Sequence, residues 1–302
     1  MKIVLVFLIS LVVAVPLLAL ETAQGGIDIA VLKAGVGARP LAMAGAYTAV
    51  SDNSDAPYWN PAGLAEIKYS EISTMQTKLS SDADHFYLSY VQPLFGGTLG
   101  VSWIQIGTGS ISQTSKEVDG YNQVQILSIF SYFSNAYLFS YGKALTDRIN
   151  LGITGKLLTS DFNTISGGQA YGYSISPGLQ IKLNDQITLG AKLDEMLNEQ
   201  KWGTGTQEKS PSKLRIGLSL KNRFGLFALD ASQVLKSAYG TELASGYEYK
   251  YGSLALRAGL NDAGMTAGVG FGIEQTQIDY AYVVQNNLTR SNAHRISLAG
   301  RW

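Results

Sequence analysis

The sequence predicts an all-β membrane protein, a 14-stranded antiparallel transmembrane β-barrel with an N-terminal hatch or plug segment. Three observations predict this fold. Hydrophobicity alternates with period two from about Tyr69 to the end, the connections are alternately short and long, and the chain is rich in Gly (33) and Tyr (17) but only 15% charged. Tilted strands of about ten residues with one lipid-facing side produce this pattern in outer-membrane barrels.

The composition excludes several other classes of protein. The 23 basic and 23 acidic residues cancel, whereas a nucleic-acid binder needs a basic surface. No cysteine is present, which excludes a disulfide scaffold, a thiolate metal site and a cysteine nucleophile. The only histidines, His85 and His294, argue against a multi-histidine zinc site. No serine lies in a Gly-x-Ser-x-Gly context, so we expect neither an enzyme nor a cofactor.

The N-terminus reads as an export signal. Lys2 is followed by the apolar run Ile3–Leu20, which predicts a secretory signal peptide over residues 1–20 with cleavage somewhere in 19–23. The alternative is a permanent membrane helix, against which Pro16 argues. An exported chain that lacks cysteine is expected in the bacterial outer membrane. Its expected partners then include the lipid of that membrane.

The alternation assigns side chains to two faces of each strand. Leu189, Leu218 and Phe271 fall on the apolar face and are expected to face lipid. Gly190 and Ser219 fall on the polar face, where we expect a lysine to be tolerated because that face should line the lumen.

The connections and the strand count support a barrel. The predicted tight links are Phe95–Gly97, Thr146–Asp147, Asn184–Asp185, Asn222–Arg223, Tyr251–Gly252 and Thr276. The longer stretches between them are Gly107–Asn122, Asp161–Gln169, Asn198–Pro211, Leu235–Glu242 and Asn286–Asn292. Counting all apolar runs gives an odd number. We therefore predict that Val124–Phe133 belongs to a long loop or extends the strand around Tyr137–Leu145.

The last ten residues, AHRISLAGRW, predict a closing strand that ends on an aromatic residue. His294, Ile296, Leu298 and Trp302 alternate with the opposite, lumen-facing side chains. We interpret Ile296, Leu298 and Trp302 as a signal read by the barrel-assembly machinery, the alternative being an ordinary closing strand.

The segment before the barrel carries a family resemblance. Residues 35–66 read GVGARPLAMAGAYTAVSDNSDAPYWNPAGLAE, and LALRAGLNDAG (254–264), TAGVGFG (266–272), DYAYV (279–283) and HRISL (294–298) follow near the C-terminus. This pattern resembles the FadL-like (OmpP1/FadL) outer-membrane proteins, and most closely their PorV/PorQ group. The matching plug-motif residues are Gly37, Arg39, Pro40, Met43, Gly45, Ala46, Asn60, Pro61, Ala62, Gly63 and Leu64.

The resemblance implies that residues 24–68 form a plug inside a barrel of residues 69–302. The small residues of Leu41–Val50 suit a slim helix or tight coil within a wall, whereas the alternative is a tail outside the barrel. By resemblance to PorV/PorQ, the protein is expected to serve type IX protein secretion, with secretion proteins and cargo as partners. The alternative is a FadL-like transporter for hydrophobic small molecules.

A charged row is predicted inside the lumen. The inward-facing charges are Glu274, Asp279, Arg301, Arg257 and Arg295. We expect Asp279 to lie nearly opposite both Glu274 and Arg301 on its neighbouring strands. Arg39 would then dock on Glu274 and Asp279, or else donate to carbonyl groups of its own segment.

Overall fold

The computed structural model describes residues 30–79, 83–115, 123–163, 165–235, 240–284 and 293–302. The predicted signal peptide with its cleavage region, residues 24–29 of the predicted plug and the loop Asn286–Asn292 lie outside these ranges. None of the helices in the described ranges is both long and apolar enough to cross a bilayer.

The N-terminal hatch consists of short helices joined by turns. They are α1 (Ala30–Lys33), α2 (Ala38–Ala42), α3 (Ala56–Trp59) and a 3₁₀ helix (Pro61–Glu66). The residues Met43–Val50 form turns, because Ala44 and Gly45 have positive φ angles of 55° and 81° that end α2. Of the two predicted forms for Leu41–Val50, the tight coil therefore dominates.

In the described residues, sixteen strands follow the hatch. In chain order they are β1 (Glu71–Lys78), β2 (Ala83–Leu94), β3 (Gly97–Thr114), β4 (Ile126–Ala144), β5 (Ile149–Phe162), β6 (Gln169–Lys182), β7 (Ile187–Asp194), β8 (Leu197–Trp202), β9 (Gln207–Glu208), β10 (Lys213–Asn222), β11 (Gly225–Val234), β12 (Glu242–Tyr251), β13 (Leu254–Asn261), β14 (Gly264–Ile273), β15 (Thr276–Val283) and β16 (Ala293–Arg301).

Fourteen of these strands close the barrel, which confirms the predicted number. Each of β1–β7 and β10–β16 pairs antiparallel with its neighbours, and β16 pairs with β1. The short strands β8 and β9 form a side hairpin. It exists because β6 pairs with β7 only through Gly178–Lys182, while Ala170–Ile175 pair with β8.

The segment Val124–Phe133 lies largely in β4, which runs unbroken from Ile126 to Ala144. The prediction that it extends the strand around Tyr137–Leu145 is confirmed. β3 and β4 have 18 and 19 residues, against 8 in β1, so their hairpin extends past the ends of the neighbouring strands.

The tight turns lie at one end of the barrel and most of the longer connections at the other, as predicted, but only Asp262 and Ala263 join β13 to β14 at the long-loop end. The predicted connection Gly107–Asn122 is wrong in its first half, because β3 continues to Thr114. One turn differs from the prediction. β14 ends at Ile273 and β15 begins at Thr276, so Glu274, with a φ of 50°, and Gln275 make the turn. Asp279 therefore pairs with Gly270 rather than Glu274. In the separate pairing of β15 with β16, Asp279 lies opposite Ser297 rather than Arg301, so this expected pairing is also wrong.

The two faces follow the predicted alternation. Phe271 is 47% exposed on the outer surface, and Leu189 and Leu218 are half-exposed there. Gly190 and Ser219 point inward and are buried. The inward face at these two positions is buried because it packs against the hatch.

Candidate functional site

The hatch lies inside the barrel. Its side chains are largely buried from Val31 to Ile67, with Ala46, Asn60 and Leu64 at 0% exposure. Helix α2 lies against β13–β16 and the 3₁₀ helix against β3–β6, so the hatch spans the lumen. An external tail is thereby excluded for these residues.

Wall side chains satisfy the irregular hatch backbone. The carboxylate of Asp230 on β11 accepts the N–H groups of Tyr47 and Thr48, at 3.1 Å and 2.9 Å. The hydroxyl of Thr266 on β14 donates to the carbonyl of Ala42 at 2.8 Å. Backbone groups at membrane depth need such partners, because lipid supplies none. Other wall partners of the hatch backbone are Ser89, Thr154, Lys192, Asn261 and Ser297.

A belt of inward-facing glycines seats the hatch. At each of them a Cβ atom would lie only 2.1–2.9 Å from a hatch atom, closer than real Cβ contacts. Gly142, Gly152 and Gly178 stand in direct register across β4, β5 and β6. The glycine belt consists of Gly100, Gly142, Gly152, Gly178, Gly190, Gly217, Gly246, Gly259 and Gly268, one on each of nine strands.

The glycine belt overturns one expectation about the lumen. A lysine at Gly190 was expected to be tolerated, but its Cβ would lie 2.4 Å from the carbonyl oxygen of Thr48. The polar face at this height is an interface with the hatch, so it excludes a side chain.

The structure gives the plug motif a packing role. Asn60 donates to the carbonyls of Thr48 and Leu179, at 2.8 Å and 3.1 Å, and its side-chain oxygen accepts from the N–H of Ala62. A Cβ at Gly63 would lie 1.8 Å from the carbonyl oxygen of Ser51. Residues buried in the same interface include Pro40, Met43, Ala46, Pro61 and Leu64.

Arg39 binds a carboxylate that the sequence analysis did not identify. Its Nε and Nη2 donate to Glu248 on β12 at 2.7 Å and 2.9 Å, and Nη1 donates to Asp52 and to the Tyr47 hydroxyl. The predicted docking on Glu274 and Asp279 is wrong. Glu274 sits exposed in the turn between β14 and β15, outside the lumen.

A second arginine connects this pair to Asp279. Arg257 on β13 donates to Glu248 at 2.7 Å and to Asp279 at 2.7 Å. Arg39, Glu248, Arg257 and Asp279 therefore form one alternating chain of charges from the hatch into the wall, which neutralises each buried group. Arg39, Asp52 and Glu248 also line a cavity of about 340 Å³ at the short-turn end.

The pKa values of two hatch carboxyl groups are shifted in opposite directions. Burial alone would raise the pKa of Asp52, but the adjacent Arg39 guanidinium outweighs it and lowers this pKa below its ordinary value. Burial raises the pKa of Asp55 to about 7, and the charges of Glu71 and Asp279 push it in the same direction. The hydrogen bond that Asn53 Nδ2 donates to this carboxylate at 2.9 Å and the charge of Arg39 lower the Asp55 pKa, but they offset burial only in part.

Glu71 connects the pair of strands that closes the barrel, β1 and β16, to the hatch. This fully buried carboxylate of β1 accepts from Arg301 of β16 and, at 2.7 Å, from the backbone N–H of Ser54. Trp302 is 62% exposed and stacks on Tyr90 with ring centroids 6.0 Å apart. Of the other residues assigned to the assembly signal, Ile296 and Leu298 also face outward.

The lumen wall carries an apolar cluster and a group of ion pairs. On β1–β5 the buried side chains of the apolar cluster are Met75, Tyr87, Ile104, Ile106, Ala136, Leu138 and Leu158, and they pack with Val31 of α1. Buried polar side chains, among them Ser89, Ser102 and Thr154, lie on the same strands. On β5–β10 lie the ion pairs Lys156–Glu195 and Lys192–Asp194, with Arg215 also bound to Asp194. The described residues contain no group of histidines and carboxylates arranged to hold a metal ion.

Several solved structures share this architecture. The Pseudomonas putida toluene transporter TodX has a TM-score of 0.64 and 16% identity over 88% of this chain and 97% of its own. The Ralstonia pickettii toluene transporter TbuX has a TM-score of 0.63 and 17% identity over 89% and 98%. A Pseudomonas aeruginosa FadL homologue has a TM-score of 0.59 and 12% identity over 92% and 99%.

The fold is of the FadL type. No protein-family model matches the chain, and neither does any curated protein. The FadL-type barrel is therefore shown by structure, while the PorV/PorQ resemblance remains one of sequence pattern. Three features bear on function: the hatch, its seat on the glycine belt and the apolar cluster of the lumen wall.

Proposed function

We propose that the protein is a bacterial outer-membrane channel for hydrophobic small molecules. One observation carries this proposal: the apolar cluster of the lumen wall on β1–β5, which packs against the hatch. A water-filled pore for polar solutes needs a polar lining, whereas an apolar lining favours apolar solutes because it replaces their contact with water. The fold shared with two toluene transporters, TodX and TbuX, supports the same function.

The apolar wall is covered in the structure by the N-terminal segment. Val31 is fully buried against it, and α1 lies against β3 and β4. Tyr58 donates to the carbonyl of Leu32 at 2.6 Å, and Trp59 donates to that of Val36 at 2.9 Å. Passage of a solute along this wall requires residues 30–36 to move, while the part of the hatch seated on the glycine belt stays in place.

Uptake by cells that lack the native gene tests the proposal. Complementation with the unaltered chain should restore uptake of a radiolabelled hydrocarbon such as toluene. Leu138→Gln places a polar amide on the apolar wall and should reduce uptake. Leu138→Met keeps an apolar side chain of similar volume and serves as the matched control. Equal uptake with the empty vector and the unaltered chain would reject transport of this class.

The secretion role rests on the PorV/PorQ sequence resemblance, and the similar structures do not support it. Its partners would be secretion proteins and their cargo at the outer membrane. Cross-linking in intact cells, followed by purification of the barrel, distinguishes the two functions. Recovery of exported cargo together with unchanged hydrocarbon uptake in a deletion strain would favour secretion.

A further inference from the structure

The seam where β16 closes the barrel on β1 opens at its long-loop end. The ladder between the two strands stops at Gln76 and Ile296, although β1 continues for two more residues and β16 begins three residues earlier. Beyond this last rung, the hydroxyl of Thr77 donates to the backbone carbonyl of His294, so a side chain takes the place of a backbone donor. A cavity of about 470 Å³ lies on the outer wall at this point, and we call it the seam cavity.

The part of the seam cavity nearer the membrane centre is apolar. Ile296 and Leu298 of β16 line it, and they are 57% and 48% exposed on the outer surface of the barrel. Thr74 of β1 stands directly opposite Leu298, and its hydroxyl donates to the backbone carbonyl of Tyr87 at 3.0 Å. This hydroxyl therefore needs no further partner. A hydrocarbon chain suits such a surface, because it covers the two apolar side chains.

The other end of the seam cavity is charged. Lys78 of β1 and Asp84 of β2 line it, and the two residues are direct partners across the strands. Both are exposed. Neither belongs to an ion pair among the residues that the structure describes. Opposite charges attract, so a head group that carries both an anion and a cation complements this end.

An aromatic patch marks the height of the charged end. His294 packs against Tyr282 and Tyr280 with ring centroids 5.1 Å and 6.0 Å apart, and the Tyr280 hydroxyl is bonded to its Nδ1 at 2.7 Å. Amphipathic aromatic rings of membrane barrels lie at the level of the lipid head groups. His294 and Lys78 each stand two residues beyond the last rung of the ladder, so the charged end lies at this level as well.

We propose that the seam cavity holds one lipid of the outer leaflet whose head carries both a phosphate and an amine. The phosphate accepts from the ammonium of Lys78, and the amine donates to the carboxylate of Asp84. One acyl chain lies along Ile296 and Leu298. The bound lipid connects β1 to β16 where their backbone ladder has ended, and it thereby stabilises the closed barrel. This site lies outside the lumen, so it is independent of the transport of hydrophobic solutes.

The test uses the purified full chain in detergent. Native mass spectrometry measures the lipid retained, and the thermal unfolding midpoint measures its effect on stability. Phosphatidylethanolamine is the probe; phosphatidylglycerol with the same acyl chains lacks the amine, and soluble phosphoethanolamine lacks the chains. We expect one retained phosphatidylethanolamine molecule and a rise in the midpoint that exceeds the rise with either control. No retention, equal retention of both lipids, or an equal rise with the soluble head group would each overturn the proposal.

Lys78→Gln and Asp84→Asn test the two charges separately. Each should weaken the retention of phosphatidylethanolamine at least about threefold, since each removes a charge from a hydrogen bond to the head group. Asp84→Asn should leave the retention of phosphatidylglycerol unchanged, a selectivity that general destabilisation would not produce. Lys143→Gln, at an exposed lysine near the short-turn end of β4, is the control for loss of a positive charge. Unchanged retention in Lys78→Gln would overturn the site, whereas hydrocarbon uptake by the same variants reports separately on transport.

Discussion

Arg39 of the hatch holds Glu248 of β12 through two N–H···O bonds, of 2.7 Å and 2.9 Å. The two side chains are only 9% and 2% exposed, so water barely screens the pair. The planar guanidinium matches both carboxylate oxygens at once, which a lysine ammonium cannot do. This pair fixes the beginning of the hatch to the barrel wall.

Arg39→Gln should loosen the hatch. It leaves Glu248 buried beside one arginine instead of two, and loss of one partner of a buried pair costs about 3–5 kcal/mol. Faster trypsin cleavage within the hatch and a lower urea midpoint would report this loss. Lys182→Gln is the control, because the Lys182–Glu66 pair is 36% and 32% exposed and should contribute no more than about 1 kcal/mol. Similar effects of both variants would contradict the anchor.

Two glycines on β5 allow a direct test of the glycine belt. Gly152→Ala forces a Cβ to within 2.2 Å of Pro61 and should destabilise by about 1–3 kcal/mol. Gly155→Ala adds the same methyl group where the nearest atom is 3.9 Å away, so its unfolding midpoint should stay close to that of the unaltered chain. Denaturant unfolding, followed by the electrophoretic shift of the folded barrel, measures both. Equal losses would show that the belt does not seat the hatch.

Asp55 should make hatch stability depend on pH. Its pKa is about 7 in the folded protein and 3.8 in a free chain, so the folded state holds a proton that the unfolded state releases between these values. The contribution of Asp55 to stability is therefore fully present below pH 3.8 and is lost as the pH rises through 7, a loss on the order of 2–4 kcal/mol. Asp55→Asn should flatten this profile in hydrogen exchange of the hatch amides. A profile with the same slope in both proteins would contradict the assignment.

The C-terminus should be needed for assembly. Deletion of Arg301 and Trp302 removes the ion pair to Glu71 and the stacking on Tyr90, so we expect unassembled protein to accumulate. Heat-modifiable mobility in outer-membrane fractions measures the assembled share. Trp302→Phe keeps an aromatic end and should assemble almost normally, whereas Arg301→Gln should be impaired because it leaves Glu71 buried without its cation. Normal assembly of the deletion variant would reject the signal.

Much of the fold could be predicted because alternation records which face of a strand meets lipid. It assigned Phe271 outward and Asp279 inward. Counting strands left Val124–Phe133 as part of a long loop or as an extension of the next strand, and β4 shows the second of these. Register depends on turn geometry, which alternation does not contain. Placing the last short turn at Thr276 instead of Glu274–Gln275 moved the expected partner of Asp279 on β14 from Gly270 to Glu274. Its expected partner on β16, inferred from the limits of the last long connection, was Arg301 instead of Ser297.

The candidate site was predicted less well for the same reason. Arg39 was identified as an anchor, but its partner is distant in sequence and lies on another part of the wall. The sequence did contain an indication of Glu248, because it follows Gly246 by two residues and therefore lies on the same inward face of β12. The hatch contacts of Asp230 and of the glycine belt could not be found from alternation, because they require knowing which hatch atom faces each strand.

The glycine belt has a consequence for exchanging parts between related barrels. Nine positions on nine strands are each matched to a particular stretch of hatch backbone, so the interface is encoded jointly by two distant regions of the gene. We expect a chimera that carries the hatch of another FadL-type protein to misfold unless the glycines are relocated with it. Compensating substitutions selected in such chimeras should concentrate at these nine wall positions.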